Sequence, residues 1–75
     1  MTAKDDADQA VIDFILEDLG ACFTDTQANI RELQRHLDIN RTQTYAVLGA
    51  MVRKGRLRWD RTDRTWTVMD AVEAA

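Results

Sequence analysis

Residues 29–69 of the chain read NIRELQRHLDINRTQTYAVLGAMVRKGRLRWDRTDRTWTVM. The stretch opens on Asn29, and Glu32 follows three residues later, which has the form of a capping box at the start of a helix. Apolar residues then recur at helical spacing, at Ile30, Leu33 and Leu37. We therefore expect the second helix of the chain to begin at Asn29 and to end before a short break at Asp38-Ile39.

A third helix is predicted from Asn40 to about Lys54. Asn40 is a good amino-terminal cap, and Gly55 follows two basic residues that suit the negative end of the helix dipole. The residues predicted to face the core are Thr44, Val47, Leu48, Met51 and Val52. Two capped helices joined so closely must cross at a large angle, which predicts a helix-turn-helix geometry.

The end of the stretch alternates apolar and polar residues, which is typical of β-strands. If Thr62-Asp63 forms a two-residue turn, Trp59 lies opposite Trp66 and a second apolar pair forms beside them; a loop of three or four residues is the alternative. That second pair is Leu57 and Val68. The sequence therefore predicts a two-stranded hairpin whose tryptophans belong to the core rather than to a base-stacking site.

A first helix is predicted from about Asp6 to Leu19, and Gly20 is well placed to end it. Its apolar stripe is wide and consists of Val11, Ile12, Phe14, Ile15, Leu16 and Leu19. Residues 21–24 then form a short apolar connector with room for one strand that bridges to the hairpin. Cys22 in this connector is expected to be a small buried thiol.

The chain is acidic, with a formal net charge of −3, but its charge is unevenly distributed. Residues 1–29 carry one basic and seven acidic side chains, whereas residues 30–69 carry nine basic and four acidic ones. The basic side chains thus belong to the two later helices and the hairpin. This asymmetry is typical of a nucleic-acid-binding face on an acidic protein, although charged side chains also serve simply to hydrate a surface.

Length and composition restrict the remaining possibilities. Seventy-five residues predict one domain over 1–75, with its core at about 8–69 and flexible ends at 1–5 and 70–75. The single cysteine and single histidine exclude an internal disulfide and a four-ligand zinc site, and no phosphate-binding loop or nucleophile motif is present. We therefore predict no metal, no cofactor and no enzymatic activity. The acidic start and the absence of a long apolar run predict a cytoplasmic protein without a membrane partner.

This order of helices and strands resembles the winged helix-turn-helix, an α+β, mostly α fold with three helices and a carboxyl-terminal two-stranded wing. The resemblance covers residues 8–69 and implies a small DNA-binding transcriptional regulator. It places the third helix (40–54) in the major groove and the wing (56–69) on the backbone. The domains that bind left-handed DNA need an asparagine and a tyrosine on the third helix and a proline pair before the tryptophan. Tyr45 and Gly49 stand at those helix positions and the chain has no proline, so this subfamily is rejected.

The residues expected to contact double-stranded DNA are Arg41, Thr42, Gln43, Tyr45, Ala46, Arg53, Arg58, Arg61 and Arg64. The arginines, with Lys54, can neutralise phosphates, and Gln43 is suited to a bidentate contact with adenine. The middle of the exposed helix face is made of Ala46, Gly49 and Ala50, which cannot hydrogen-bond a base through their side chains. That face favours an alternative function, a winged-helix module that binds another protein. A homodimer through the wide stripe of the first helix is also expected.

Overall fold

Three helices and a three-stranded antiparallel sheet form the described part of the protein, residues 3–69 of a computed structural model. The elements are α1 (Ala3–Phe14), which continues as a π-helical turn (Ile15–Leu19), β1 (Cys22–Thr24), α2 (Gln27–Leu37), α3 (Arg41–Arg53), β2 (Leu57–Asp60) and β3 (Thr65–Val68). The predicted α+β class is therefore confirmed. Helix α1 begins three residues before its predicted start, and the predicted flexible end at 70–75 lies outside the described residues.

The sheet has the strand order β1-β3-β2, so the hairpin gains a third strand from the connector. Trp59 pairs with Trp66 and Leu57 with Val68, which confirms the predicted register. The loop, however, spans the four residues 61–64. Oδ1 of Asp60 accepts hydrogen bonds from the backbone N–H groups of Thr62 and Asp63 at 2.9 and 3.1 Å, and these bonds organise the longer loop.

One face of the sheet packs against the helices. Trp66 is 7% exposed, and its ring centroid lies 4.4 Å from that of the half-buried Trp59. The buried hydrophobic residues are Val11, Ile12, Ile15, Phe23, Ile30, Leu33, Leu48, Met51, Leu57, Trp66 and Val68. The tryptophan pair is therefore part of the core, as predicted.

The thiol of Cys22 is exposed, so the prediction of a buried cysteine is wrong. Successive side chains of a strand point to opposite faces of its sheet. In β1 it is Phe23 that points inward, with 3% of its surface exposed. Cys22 therefore lies on the outer face, where its Sγ is 3.6 Å from the Thr67 hydroxyl.

The end of α1 departs from a regular α-helix. The N–H of Gly20 donates to the carbonyl of Ile15 at 2.7 Å, five residues back, and Gly20 closes the helix with a positive φ of 94°. The wide turn leaves Leu16 40% exposed, whereas Ile12 is fully buried. The wide apolar stripe of this helix is thus largely used by the protein's own core.

The predicted capping box at Asn29 is wrong, because α2 begins at Gln27 and Thr26 is its cap. The Thr26 hydroxyl accepts a hydrogen bond of 3.3 Å from the backbone N–H of Asn29. The Asn29 side chain instead donates to the carbonyl of Thr24 at 2.9 Å and ties the helix to the end of β1.

Thr26→Ala is expected to lower the free energy of unfolding by about 1 kcal/mol, because it removes the cap of α2. Urea denaturation followed by tryptophan fluorescence measures the change. Thr42→Ala, an exposed threonine in the first turn of α3, is the matched control and should cost less. Equal losses in the two variants would show that Thr26 does not cap the helix.

Candidate nucleic-acid interface

Asn40 caps α3, as predicted, and Gln43 completes a capping box that was not predicted. The Asn40 side chain accepts from the backbone N–H of Gln43 at 2.8 Å, and Gln43 Oε1 accepts from the backbone N–H of Asn40 at 3.0 Å. Gln43 is exposed, but its amide oxygen is already engaged. A bidentate contact between Gln43 and adenine would require this hydrogen bond to break.

Tyr45 connects α3 to the segment between β1 and α2. Its hydroxyl donates a hydrogen bond of 2.8 Å to Oδ1 of Asp25, twenty residues earlier in the chain. The guanidinium carbon of Arg41 lies 5.7 Å from the centroid of the Tyr45 ring, within the range of a cation–π interaction. Tyr45 is therefore half-buried and part of the fold, while Arg41 remains exposed beside it.

Asp25 also contacts the hairpin loop through its backbone and its side chain. Its backbone N–H donates to the carbonyl of Arg64 at 2.8 Å, and its Oδ2 lies 3.5 Å from Nη2 of Arg64. The Asp25 side chain is 11% exposed, whereas the Arg64 side chain is 71% exposed, so water reaches this ion pair from the side of Arg64. One carboxylate thus links the amino-terminal half of α3, through Tyr45, to the hairpin loop, through Arg64, and Arg41 lies against the Tyr45 ring.

The environment of Tyr45 changes its acidity. Partial burial raises the pKa of Tyr45, and the hydrogen bond to the Asp25 carboxylate raises it further because the anion opposes a second negative charge. Arg41 acts in the opposite direction and lowers the pKa of Tyr45. The hydroxyl therefore stays protonated and keeps donating to Asp25.

The remaining predicted residues of α3 lie along its outer face. Thr42, Ala46 and Arg53 are exposed, and Gly49 is half-exposed. A Cβ added to Gly49 would meet only Nη1 of Arg53, at the ordinary contact distance of 3.7 Å. The folded protein therefore has no steric need for glycine at this position.

The two other hairpin arginines occupy different places. Arg61 is exposed in the loop at the tip. Arg58 alternates with the inward-facing Leu57 and Trp59, so it lies on the sheet face opposite the core and α3. Arg58 is consequently not part of the group around Asp25.

Lys54, predicted as a phosphate contact, has a partner within the protein. Its Nζ lies 2.6 Å from Oδ2 of Asp8 on α1. This pair joins the end of α3 to the acidic first helix. Releasing Lys54 to a phosphate would require that ion pair to break.

A cavity of about 250 Å³ opens between α2 and α3. Its lining residues are Gln27, Ile30, Arg31, Gln34, Arg41 and Tyr45. Arg41 and Tyr45 thus border both the cavity and the group around Asp25. Arg31, Gln27 and Gln34 were not identified from the sequence, since neither a motif nor unusual spacing marks them.

Asp25 was also missed as a functional residue. In the sequence it is one of several acidic residues in the first 29, and only the tertiary structure brings it to Tyr45 and Arg64.

The chain matches no protein-family model, no curated protein and no solved structure. None of the helices between residues 3 and 69 is long and apolar enough to cross a membrane. The chemical arrangement described above is therefore the basis for assigning a function.

Asp25→Asn is expected to lower the pKa of Tyr45, because the negative charge that opposes tyrosinate formation is removed while the side chain keeps its shape. Tyr45 is the only tyrosine in the chain, so tyrosinate absorbance reports on it alone. Asp38→Asn, at the exposed end of α2, is the control and should leave the titration unchanged.

The same change has a consequence for stability at high pH. Because the pKa of Tyr45 is raised in the folded state, its contribution to stability is present below the unfolded pKa and is lost as the pH rises through the folded value. This loss should be smaller in Asp25→Asn. An identical Tyr45 titration in the wild type and in Asp25→Asn would contradict the Asp25–Tyr45 contact.

Proposed function

We propose that this protein is a winged helix-turn-helix DNA-binding protein that acts as a transcriptional regulator. The order of its elements supports the proposal, because α2 and α3 are joined by three residues and followed by a hairpin to which β1 adds a strand. In this arrangement α3 enters the major groove and the hairpin loop lies on the flanking backbone.

The contacts of Asp25 are the observation that carries the proposal. They fix the amino-terminal half of α3 next to the hairpin loop, so that Arg41, Arg61 and Arg64 can meet one duplex. Phosphate neutralisation by such side chains supplies much of the affinity of DNA-binding proteins. Seven of the thirteen acidic residues lie in residues 1–29, away from the segment 30–69 that carries nine basic ones, while Asp60 and Asp63 stand beside the loop arginines.

Base contacts in this proposal come from the start of α3. Thr42 is exposed there and can donate to or accept from a base edge. Gln43 can donate from its amide NH₂ group while its Oε1 stays in the cap, and makes a bidentate contact with adenine only when that hydrogen bond opens. The small side chain of Ala46 allows the duplex to approach α3 closely and can contact a thymine methyl group.

A homodimer through α1 remains part of the proposal, since a single small module makes few phosphate contacts and two half-sites would increase the affinity. Leu16, in the π-helical turn that continues α1, is the exposed large hydrophobic side chain among the described residues. It would be the centre of the dimer contact.

Arg41→Ala and Arg61→Ala are each expected to weaken duplex binding for all sequences and to lower the slope of log K against log salt by about 1. Fluorescence anisotropy with random-sequence duplexes over a salt series measures both quantities. The expected cause is the loss of one phosphate contact in each variant.

Two arginines serve as controls for these variants. Arg35→Ala removes a charge from an exposed side chain on α2 that pairs with Glu32 at 3.4 Å. Arg58→Ala removes a charge from the sheet face opposite α3, and Arg58, expected from the sequence to contact DNA, is left out of the duplex contacts proposed here for that reason. Both should leave the salt slope unchanged. Failure of the wild-type protein to bind any duplex at low salt would overturn the proposed function.

A second candidate function is a winged-helix module that binds another protein through the outer face of α3. Gly49 favours it, because the fold does not need glycine there and glycine in a helix interior costs about 1 kcal/mol relative to alanine. A partner helix packed closely against Ala46, Gly49 and Ala50 would explain the residue.

Gly49→Ala is expected to raise the free energy of unfolding by about 1 kcal/mol, because alanine is the better helix former and its Cβ meets no close neighbour. Chemical denaturation of the isolated protein measures the change. Ala50→Gly, at the next position, should lower the free energy by a similar amount. A destabilised Gly49→Ala variant would give the glycine an internal role and remove the main support for the second candidate.

A further inference from the structure

The cavity between α2 and α3 is lined by cations from both helices. Arg31 comes from α2 and Arg41 from α3, and the cavity they border measures about 250 Å³. Both side chains are exposed, and two guanidinium groups that border one cavity create a positive potential that favours an anion between them.

Among residues 8–69, whose side chains the structure describes, no carboxylate forms an ion pair with Arg31 or Arg41. Ion pairs of the described residues instead join Lys54 to Asp8, Arg64 to Asp25 and Arg35 to Glu32. Arg41 contacts the face of the Tyr45 ring and acts on its hydroxyl, but Tyr45 is neutral and its hydroxyl donates to Asp25 rather than to a ligand of Arg41. The positive charge of the cavity is therefore left for a ligand.

The other lining groups suit an oxyanion. The amides of Gln27 and Gln34 can donate hydrogen bonds, and the buried Ile30, 2% exposed, closes the apolar side. The volume is smaller than the roughly 300–1,000 Å³ of pockets that enclose drug-sized molecules. A phosphate group fits these requirements of charge, donors and size, and a planar guanidinium can bind two of its oxygens.

We propose that the cavity between α2 and α3 is a phosphate-binding site held by Arg31 and Arg41. The phosphate comes either from the backbone of a bound duplex, which rests on the proposed function, or from a free phosphorylated molecule. Arg41 belongs both to the cavity and to the proposed duplex-facing surface. A free phosphate in the cavity therefore competes with the duplex and lowers its affinity.

Inorganic phosphate is the probe for the first arm of the test. The side-chain N–H resonances of the arginines are followed by NMR as phosphate replaces chloride at constant ionic strength. A saturable shift of Arg31 and Arg41 in the millimolar range is expected. Arg31→Gln should weaken phosphate binding by about tenfold, as expected for the loss of a charged hydrogen bond, whereas Arg35→Gln, one turn further along α2, should retain it.

The second arm measures duplex affinity of the same variants. Saturable phosphate binding that Arg31→Gln alone removes supports the site with free phosphate as its ligand. A loss of about tenfold in duplex affinity in Arg31→Gln alone, without a response to free phosphate, supports the site with the duplex backbone as its ligand. Equal behaviour of Arg31→Gln and Arg35→Gln in both arms overturns the site. Phosphate binding by a protein that binds no duplex overturns the proposed function and leaves the site standing.

Discussion

The carboxylate of Asp25 is the contact on which the candidate interface depends. The carboxylate accepts a hydrogen bond from the Tyr45 hydroxyl and lies beside the Arg64 guanidinium. The backbone N–H of Asp25 donates to the carbonyl of Arg64 in the hairpin loop. Hydrogen bonds to a charged group are stronger than those between neutral groups, and the low exposure of Asp25 limits competition from water. The position of α3 relative to the loop therefore follows from one side chain, in addition to the packing of the core.

The acidic residues of the first 29 also determine which cations remain for a ligand. Asp8 neutralises Lys54 and Asp25 partly neutralises Arg64. Arg41 and Arg61 form no such ion pair with any residue between 8 and 69. The uneven charge of the sequence thus partly reflects ion pairs between its two halves. Among the exposed cations, Arg41 lies at the start of α3 and Arg61 in the hairpin loop.

The sequence predicts the features that depend on local chemistry. The cap at Asn40 and the hairpin register follow from short-range signals, namely a side chain that satisfies helix N–H groups and an alternation of period two. The predicted start of α2 is wrong because Thr26 and Asn29 are both suitable caps. The pairing of β1 with β3 decides between them. Asp25 and the cavity around Arg31 could not be predicted, because residues distant in sequence or on two helices create them. The same holds for the exposure of Cys22, which depends on which face of β1 meets the core.

The central claim is that the amino-terminal half of α3 and the hairpin loop act as one duplex-binding surface. Backbone amide NMR during titration with a DNA duplex at low salt tests it most directly. The account predicts that residues 40–46 and 61–64 shift together, with one midpoint, while the outer face of the sheet around Arg58 stays unchanged. Shifts confined to only one of these two segments, or no shifts at any duplex concentration, would contradict it.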